Sequence, residues 1–179
     1  MKRRIPQIIT EEELVKILQD KKIKNNHKFA FMLGFYQAMR VSEIINLKPE
    51  NINIREHKIE IKQSKGSKDR NITIIQPLLI GKFEVEKALK KFIDGEFKLP
   101  KTPRALQFAI KRHAKRIIGK DIHPHTLRHS GATWLLNKKK WDTRFIQEFL
   151  GHENLGTTQI YAHVSPEAQI SLEWGKNST

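Results

Sequence analysis

The chain contains no cysteine, so thiol nucleophiles, disulfides and thiolate metal sites are excluded together. Acidic residues are also scarce. Across 179 residues, 19 Asp and Glu face 34 Lys and Arg, a formal charge of +15. No apolar run approaches the roughly 20 residues of a membrane span, and the opening MKRRIP leads into charge instead of an apolar signal core. The expected setting is therefore soluble and cytoplasmic, with no membrane partner. Tyrosine is limited to Tyr36 and Tyr161, which leaves two candidates for any tyrosine chemistry.

The charge that is present is segregated. Residues 101–144 hold twelve Lys or Arg against Asp121 and Asp142, while residues 145–179 set Lys176 against Glu148, Glu153, Glu167 and Glu173. A lysine-rich solvated surface of the thermophile kind balances Lys with Glu; this one does not. Such a field suits a polyanion, and nucleic acid supplies one with a regular backbone. With 38% hydrophobic residues, the length suits one globular domain, spanning 1–179.

Local patterns predict an α+β fold, mainly helical, with a small antiparallel three-stranded sheet. Thr10 and Glu13 form a capping pattern ahead of Leu14, Ile17 and Leu18. HKFAFMLGFYQAMR reads as a buried helix ending near Ala38, and VSEIINL as a short helix capped by Ser42. NINI, KIEIKQ and RNITII alternate as strands, with SKGSKD as a glycine-containing hairpin tip. Helical patterns resume in FEVEKALKKFI and again after Thr102-Pro103. Pro124 reads as a stop, Asp142 as a cap, Gly151 as a left-handed helix end, and TTQIYAHV as a last short helix.

Arg40 falls at a helix junction, and Arg128 lies in the otherwise apolar and small-residue stretch TLRHSGATWLL. A guanidinium fork matches phosphate oxygens in a bidentate way. Each arginine taken alone fits a buried ion pair equally well. His125 is one turn ahead of Arg128, and His152 adjoins a helix-ending glycine; both are placed to reach an anion. The His-x-x-x-His spacing of His125 and His129 has neither the HExxH pattern nor a cysteine to complete a zinc site. Tyr161, at helical spacing from Val164, would by itself be read as packing.

The ordered set decides the reading. GFYQAMRVSEIINL, KGSKDR, HPHTLRHSGATWLL and LGHENLGTTQIYAHV follow one another between Thr10 and Val164, and together they resemble the boxes of the tyrosine recombinases, or phage integrase family. The resemblance implies site-specific DNA recombination and integration through a 3′-phosphotyrosyl intermediate, with Tyr161 as nucleophile. Arg40 and Arg128 would hold the non-bridging oxygens, Lys65 would protonate the departing 5′ oxygen, His125 would assist proton transfer, and His152 would donate a further hydrogen bond. Glu43 would orient this cluster. The helical domain that usually precedes the catalytic one is expected to be absent.

The chemistry is consistent with those residue types. A phosphodiester repels nucleophiles by its own charge, and several fixed cations and donors can replace a metal in offsetting it. A tyrosine ester conserves the energy of the phosphate bond, so no cofactor, metal or ATP is expected. The expected partners are double-stranded DNA and, on DNA, other protomers of the chain, with a free protein that is monomeric. Lys111, Arg112, Lys115 and Arg116 on a basic helix are the candidates for DNA contact; a merely solvated face is the alternative. Two competing functions are a type IB topoisomerase, which shares the chemistry without joining sites, and a non-catalytic DNA-binding module.

Overall fold

A computed structural model describes residues 8–62, 69–75 and 85–151. The fold is organised by one helix. The segment Asn25–Phe35 (α2) is buried on all sides from Lys28 to Phe35, as its unbroken apolar run requires. Helices α1 (Glu11–Gln19), α3 (Val41–Asn46), α4 (Val85–Ile93), α5 (Pro103–Ile118) and α6 (Pro124–Asn137) all pack on it. A further helix, α7 (Thr143–Leu150), leans on α6.

Helices α2 and α6 approach closely, and glycine makes this possible. A Cβ on Gly131 would lie 1.9 Å from the Phe35 carbonyl oxygen, and one on Gly34 would lie 3.1 Å from Leu127 Cδ1. Only bare backbone fits at Gly131. The junction after α2 and the helix carrying Arg128 are thereby held together, which sets the position of the site.

Most helix ends follow the sequence signals. Thr10 and Glu13 cap each other's backbone, Thr102 accepts from the Ala105 N–H at 3.2 Å, and Asp142 accepts from the Arg144 N–H at 2.8 Å. Gly151 ends α7 in the left-handed region at φ 65°, where a side chain is disfavoured.

Three details differ from expectation. Helix α2 stops at Phe35 instead of near Ala38, because the chain turns through Ala38 at φ 46° and the Met39 N–H returns to the Leu33 carbonyl. Ser42 lies inside α3, whose cap position is Arg40. Pro124 opens α6 and does not merely end what precedes it; its missing N–H costs nothing in a first turn.

Strands β1 (Ile52–Asn53), β2 (Lys58–Ile61) and β3 (Arg70–Thr73) form the expected antiparallel sheet in the order β1-β2-β3. Ile52 pairs with Ile59 and Ile59 with Ile72, so the buried isoleucines run across one face. Ile61 pairs with Arg70 on that same face. Residues 63–68 of the hairpin tip and everything after Gly151, including the helix read around Tyr161 and most of the acidic segment 145–179, lie outside the described residues.

Candidate active site

Glu43 is the centre of the site. It sits in the first turn of α3 and is 7% exposed. Its carboxylate reaches back to the Arg40 N–H at 2.7 Å and accepts from Arg40 Nη1 at 3.0 Å. Arg70 approaches from β3, donating from Nη1 to Oε1 at 2.8 Å and from Nη2 to Oε2 at 3.3 Å. Arg128 completes the cluster from α6, with Nη1 4.0 Å from Oε2. One carboxylate thus faces three guanidiniums, and the cluster keeps an excess of positive charge.

The end of α7 supplies the remaining acceptors. Arg40 Nη2 donates to the Gly151 carbonyl at 2.7 Å, and Arg128 donates to the Leu150 carbonyl from one nitrogen and to the Ala38 carbonyl from the other. Carbonyls at a helix C-terminus lack intrahelical donors and carry partial negative charge. Two arginines therefore pin Leu150 and Gly151, the two residues before His152. The left-handed turn at Ala38 aims its carbonyl at Arg128, which links the α2–α3 junction to α6.

Access is unequal. The Arg40 side chain is 36% exposed, that of Arg70 14% and that of Arg128 7%. An anion would arrive on the Arg40 side. Each Nη of a guanidinium carries two N–H groups, so donors remain after these contacts are made.

The titration behaviour follows from the packing. Burial would raise the Glu43 carboxyl, but hydrogen bonds from Arg70 and from the Arg40 backbone outweigh it and hold the group below the usual range. Burial and the neighbouring Arg40 push Arg128 down to about 10, against the pull of Glu43. It stays cationic at neutral pH.

His125 is exposed, and its ring lies 5.2 Å from that of His129; burial, then His129 and Arg128, lower its pKa. Lys65, His152 and Tyr161 lie outside the described residues. Tyr36 is 1% exposed, rests against Phe35 and Trp134, and donates to Glu11 at 3.3 Å. Burial and that carboxylate raise its hydroxyl well above the ordinary value, so it is a core residue.

Lys111, Arg112, Lys115 and Arg116 are all exposed on α5. Lys111 pairs with Asp121 at 3.1 Å and Arg116 with Asp20 at 2.9 Å, while Arg112 lies over the Phe108 ring at 5.5 Å. Phe108 itself is 64% exposed. Among the described residues, no group of three or more His, Asp or Glu is arranged to hold a metal ion. No described helix is long and apolar enough to cross a membrane.

Arg70 was missed in the sequence, although a signal was present. In RNITII it shares strand parity with Ile72 and Ile74, both buried. An arginine on the inward face of a strand needs an acidic partner. Arg70 Nε is buried without an acceptor among the described residues.

Comparison with known proteins points in one direction. The model of the phage integrase family matches residues 7–168. Tyrosine recombinase XerA of Pyrococcus horikoshii is 36% identical over 173 residues, covering 90% of this chain and 58% of the relative. A tyrosine recombinase of Thermosipho africanus is 35% identical over 176 residues, covering 95% and 62%. The chain therefore spans less than two thirds of the length of these relatives. Among solved structures, the crystal structure of XerA recombinase aligns with a TM-score of 0.73 at 25% identity over 100% of this chain and 66% of that one. XerH site-specific recombinase, in a pre-cleavage complex with its difH substrate, aligns at 0.63 with 26% identity, covering 98% and 53%.

Proposed function

Because the chain belongs to the phage integrase family, we propose that it cleaves and rejoins duplex DNA at a specific site through a tyrosine ester, as a site-specific recombinase. The observation that carries this reading is the convergence of Arg40 and Arg128 on Glu43 and on the last carbonyls of α7. Two fixed, partly desolvated guanidiniums next to one another form a site for a phosphate.

In the proposed step, the Tyr161 oxygen attacks the scissile phosphorus and the bond to the 5′ oxygen breaks, leaving a 3′-phosphotyrosyl link. Arg40 and Arg128 offset the charge that grows on the non-bridging oxygens. Lys65 gives a proton to the departing 5′ oxygen, His125 assists removal of the tyrosine proton, and His152 adds a hydrogen bond to the phosphate. Attack of a 5′ hydroxyl on the tyrosine ester reverses the sequence and seals a strand, with neither metal nor ATP consumed. The core position of Tyr36 supports Tyr161 as the nucleophile, since Tyr36 is the alternative.

Glu43 holds the arginines in place, and the exposed cations of α5 hold the DNA backbone. The free protein is proposed to be monomeric and to assemble with further protomers on DNA. The segment after Val164 would contribute to that assembly, and sedimentation of free protein would show a stable oligomer if it is wrong.

The test is covalent capture. A labelled duplex, selected for binding from a random pool and nicked beside the cleavage point, should become attached to the protein through its 3′ phosphate, with EDTA present. Failure to form the adduct, or loss of it with EDTA, would contradict the mechanism. Relaxation of supercoiled plasmid irrespective of sequence would favour a topoisomerase instead.

A further inference from the structure

We infer that Arg70 is a positioning residue for the arginine pair, holding Glu43 so that Arg40 stays in place while its charge remains available to phosphate. This rests on the recombinase reading above. The geometry is that of three converging elements. Arg70 projects from the buried face of β3, opposite Ile61, and takes both Glu43 oxygens. Its guanidinium also backs onto Gly151, where a Cβ would lie 2.8 Å from Arg70 Cζ. Strand β3, helix α3 and the end of α7 thus meet at one side chain.

The charge balance supplies the reason. A carboxylate paired with Arg40 alone forms a closed, neutral ion pair, which is a poor partner for an anion. With Arg70 on the same carboxylate, Glu43 is shared between two hydrogen-bonded cations at 3.0 and 2.8 Å and a third, Arg128, at 4.0 Å, and Arg40 retains more of its field. Arg70 commits both terminal nitrogens to Glu43, whereas Arg40 commits one and is 36% exposed, which leaves the contact with substrate to Arg40 and gives the support to Arg70. Bidentate geometry matters here: a lysine at position 70 could reach one oxygen, not both.

Because Arg70 acts through charge delivered to the phosphate, its loss should matter only while the phosphate is charged. Single-turnover cleavage of the selected nicked duplex would be compared for the full chain and for Arg70→Lys, Arg70→Gln and Arg70→Ala. One duplex carries the natural scissile phosphate, the other a methylphosphonate in which a neutral methyl replaces one non-bridging oxygen. Arg70→Ala should slow the natural substrate about 100-fold, the scale of a small misplacement of catalytic groups, with Arg70→Lys in between. On the methylphosphonate, these variants and Arg40→Ala should come within a few-fold of the unaltered chain.

Equal defects on both substrates, with Arg40→Ala selectively relieved, would make Arg70 a structural residue and overturn the inference. So would unimpaired cleavage by Arg70→Gln. If Arg70→Ala does not fold, Arg70→Lys and Arg70→Gln, matched for thermal midpoint, carry the same comparison. Absence of adduct with the unaltered chain would overturn the recombinase reading itself, and is thereby distinguishable.

Discussion

The cations of this protein fall into two populations. Arg40, Arg70 and Arg128 converge on a buried carboxylate and on helix-end carbonyls. Lys111, Arg112, Lys115 and Arg116 line an exposed face of α5, where Lys111 and Arg116 pair with single surface carboxylates. The first group has fixed geometry and, at Arg70 and Arg128, low dielectric surroundings, conditions that strengthen an interaction with developing charge. The second is exposed, a setting suited to drawing in a polyanion from a distance and open to screening by salt. On the proposed function, position in the fold, and not residue type, separates chemistry from attraction.

The largest expected effect falls on the buried group. Arg40→Ala and Arg128→Ala should each lower single-turnover cleavage by about a thousandfold at saturating DNA, with lysine a poor substitute. Affinity for duplex should change only a few-fold. A binding loss that matched the rate loss would erase the distinction between the two groups. Arg128→Ala should also lower the thermal midpoint, because it strips a donor from the buried Ala38 and Leu150 carbonyls.

Next in size is the platform beneath the buried group. Gly131→Ala forces a methyl into the Phe35 carbonyl and should cost about 3 kcal/mol by denaturant unfolding. An unchanged midpoint would mean that α2 and α6 do not hold the cluster.

The exposed group should respond to salt. Replacing Lys111, Arg112, Lys115 and Arg116 together with alanine should flatten the dependence of log K on log salt by about one for each residue that touches phosphate. Cleavage at saturation should stay near that of the unaltered chain. An unchanged slope would leave α5 as a solvated helix.

A smaller, pH-dependent effect comes from behind that face. His113, buried on α5, meets His27 with ring nitrogens 3.1 Å apart. Burial, then the charge of His27 and of Arg112, push His113 down to about 4 from 6.5. The unfolded chain binds the extra proton first, so stability is complete above about pH 6.5 and falls as pH drops toward 4, by on the order of 2 kcal/mol. His113→Gln should flatten that part of the pH profile of unfolding.

How much of this was legible depends on the range of the interaction. Capping pairs such as Thr10 with Glu13, and end signals such as Gly151, act within a turn and were readable. Arg40 and Arg128 were identified as candidates and Glu43 as the residue that orients them, but Arg70 and the backbone carbonyls of Ala38, Leu150 and Gly151 were not. Sequence left ion pair and phosphate clamp as alternatives, and the fold shows the two arginines sharing a carboxylate with access on one side. The Arg70–Glu43 contact spans 27 positions and Arg128–Ala38 spans 90, distances at which no local pattern names a partner. The early end of α2 depends on a left-handed alanine, a conformation that residue type argues against.

The central claim is that fixed arginines activate a phosphate for Tyr161. The direct measurement is covalent capture of the nicked duplex by Tyr161→Phe beside the unaltered chain, with affinity measured on the same DNA. Removing one hydroxyl should abolish the adduct and leave binding close to intact. An adduct that persists in Tyr161→Phe would contradict the account.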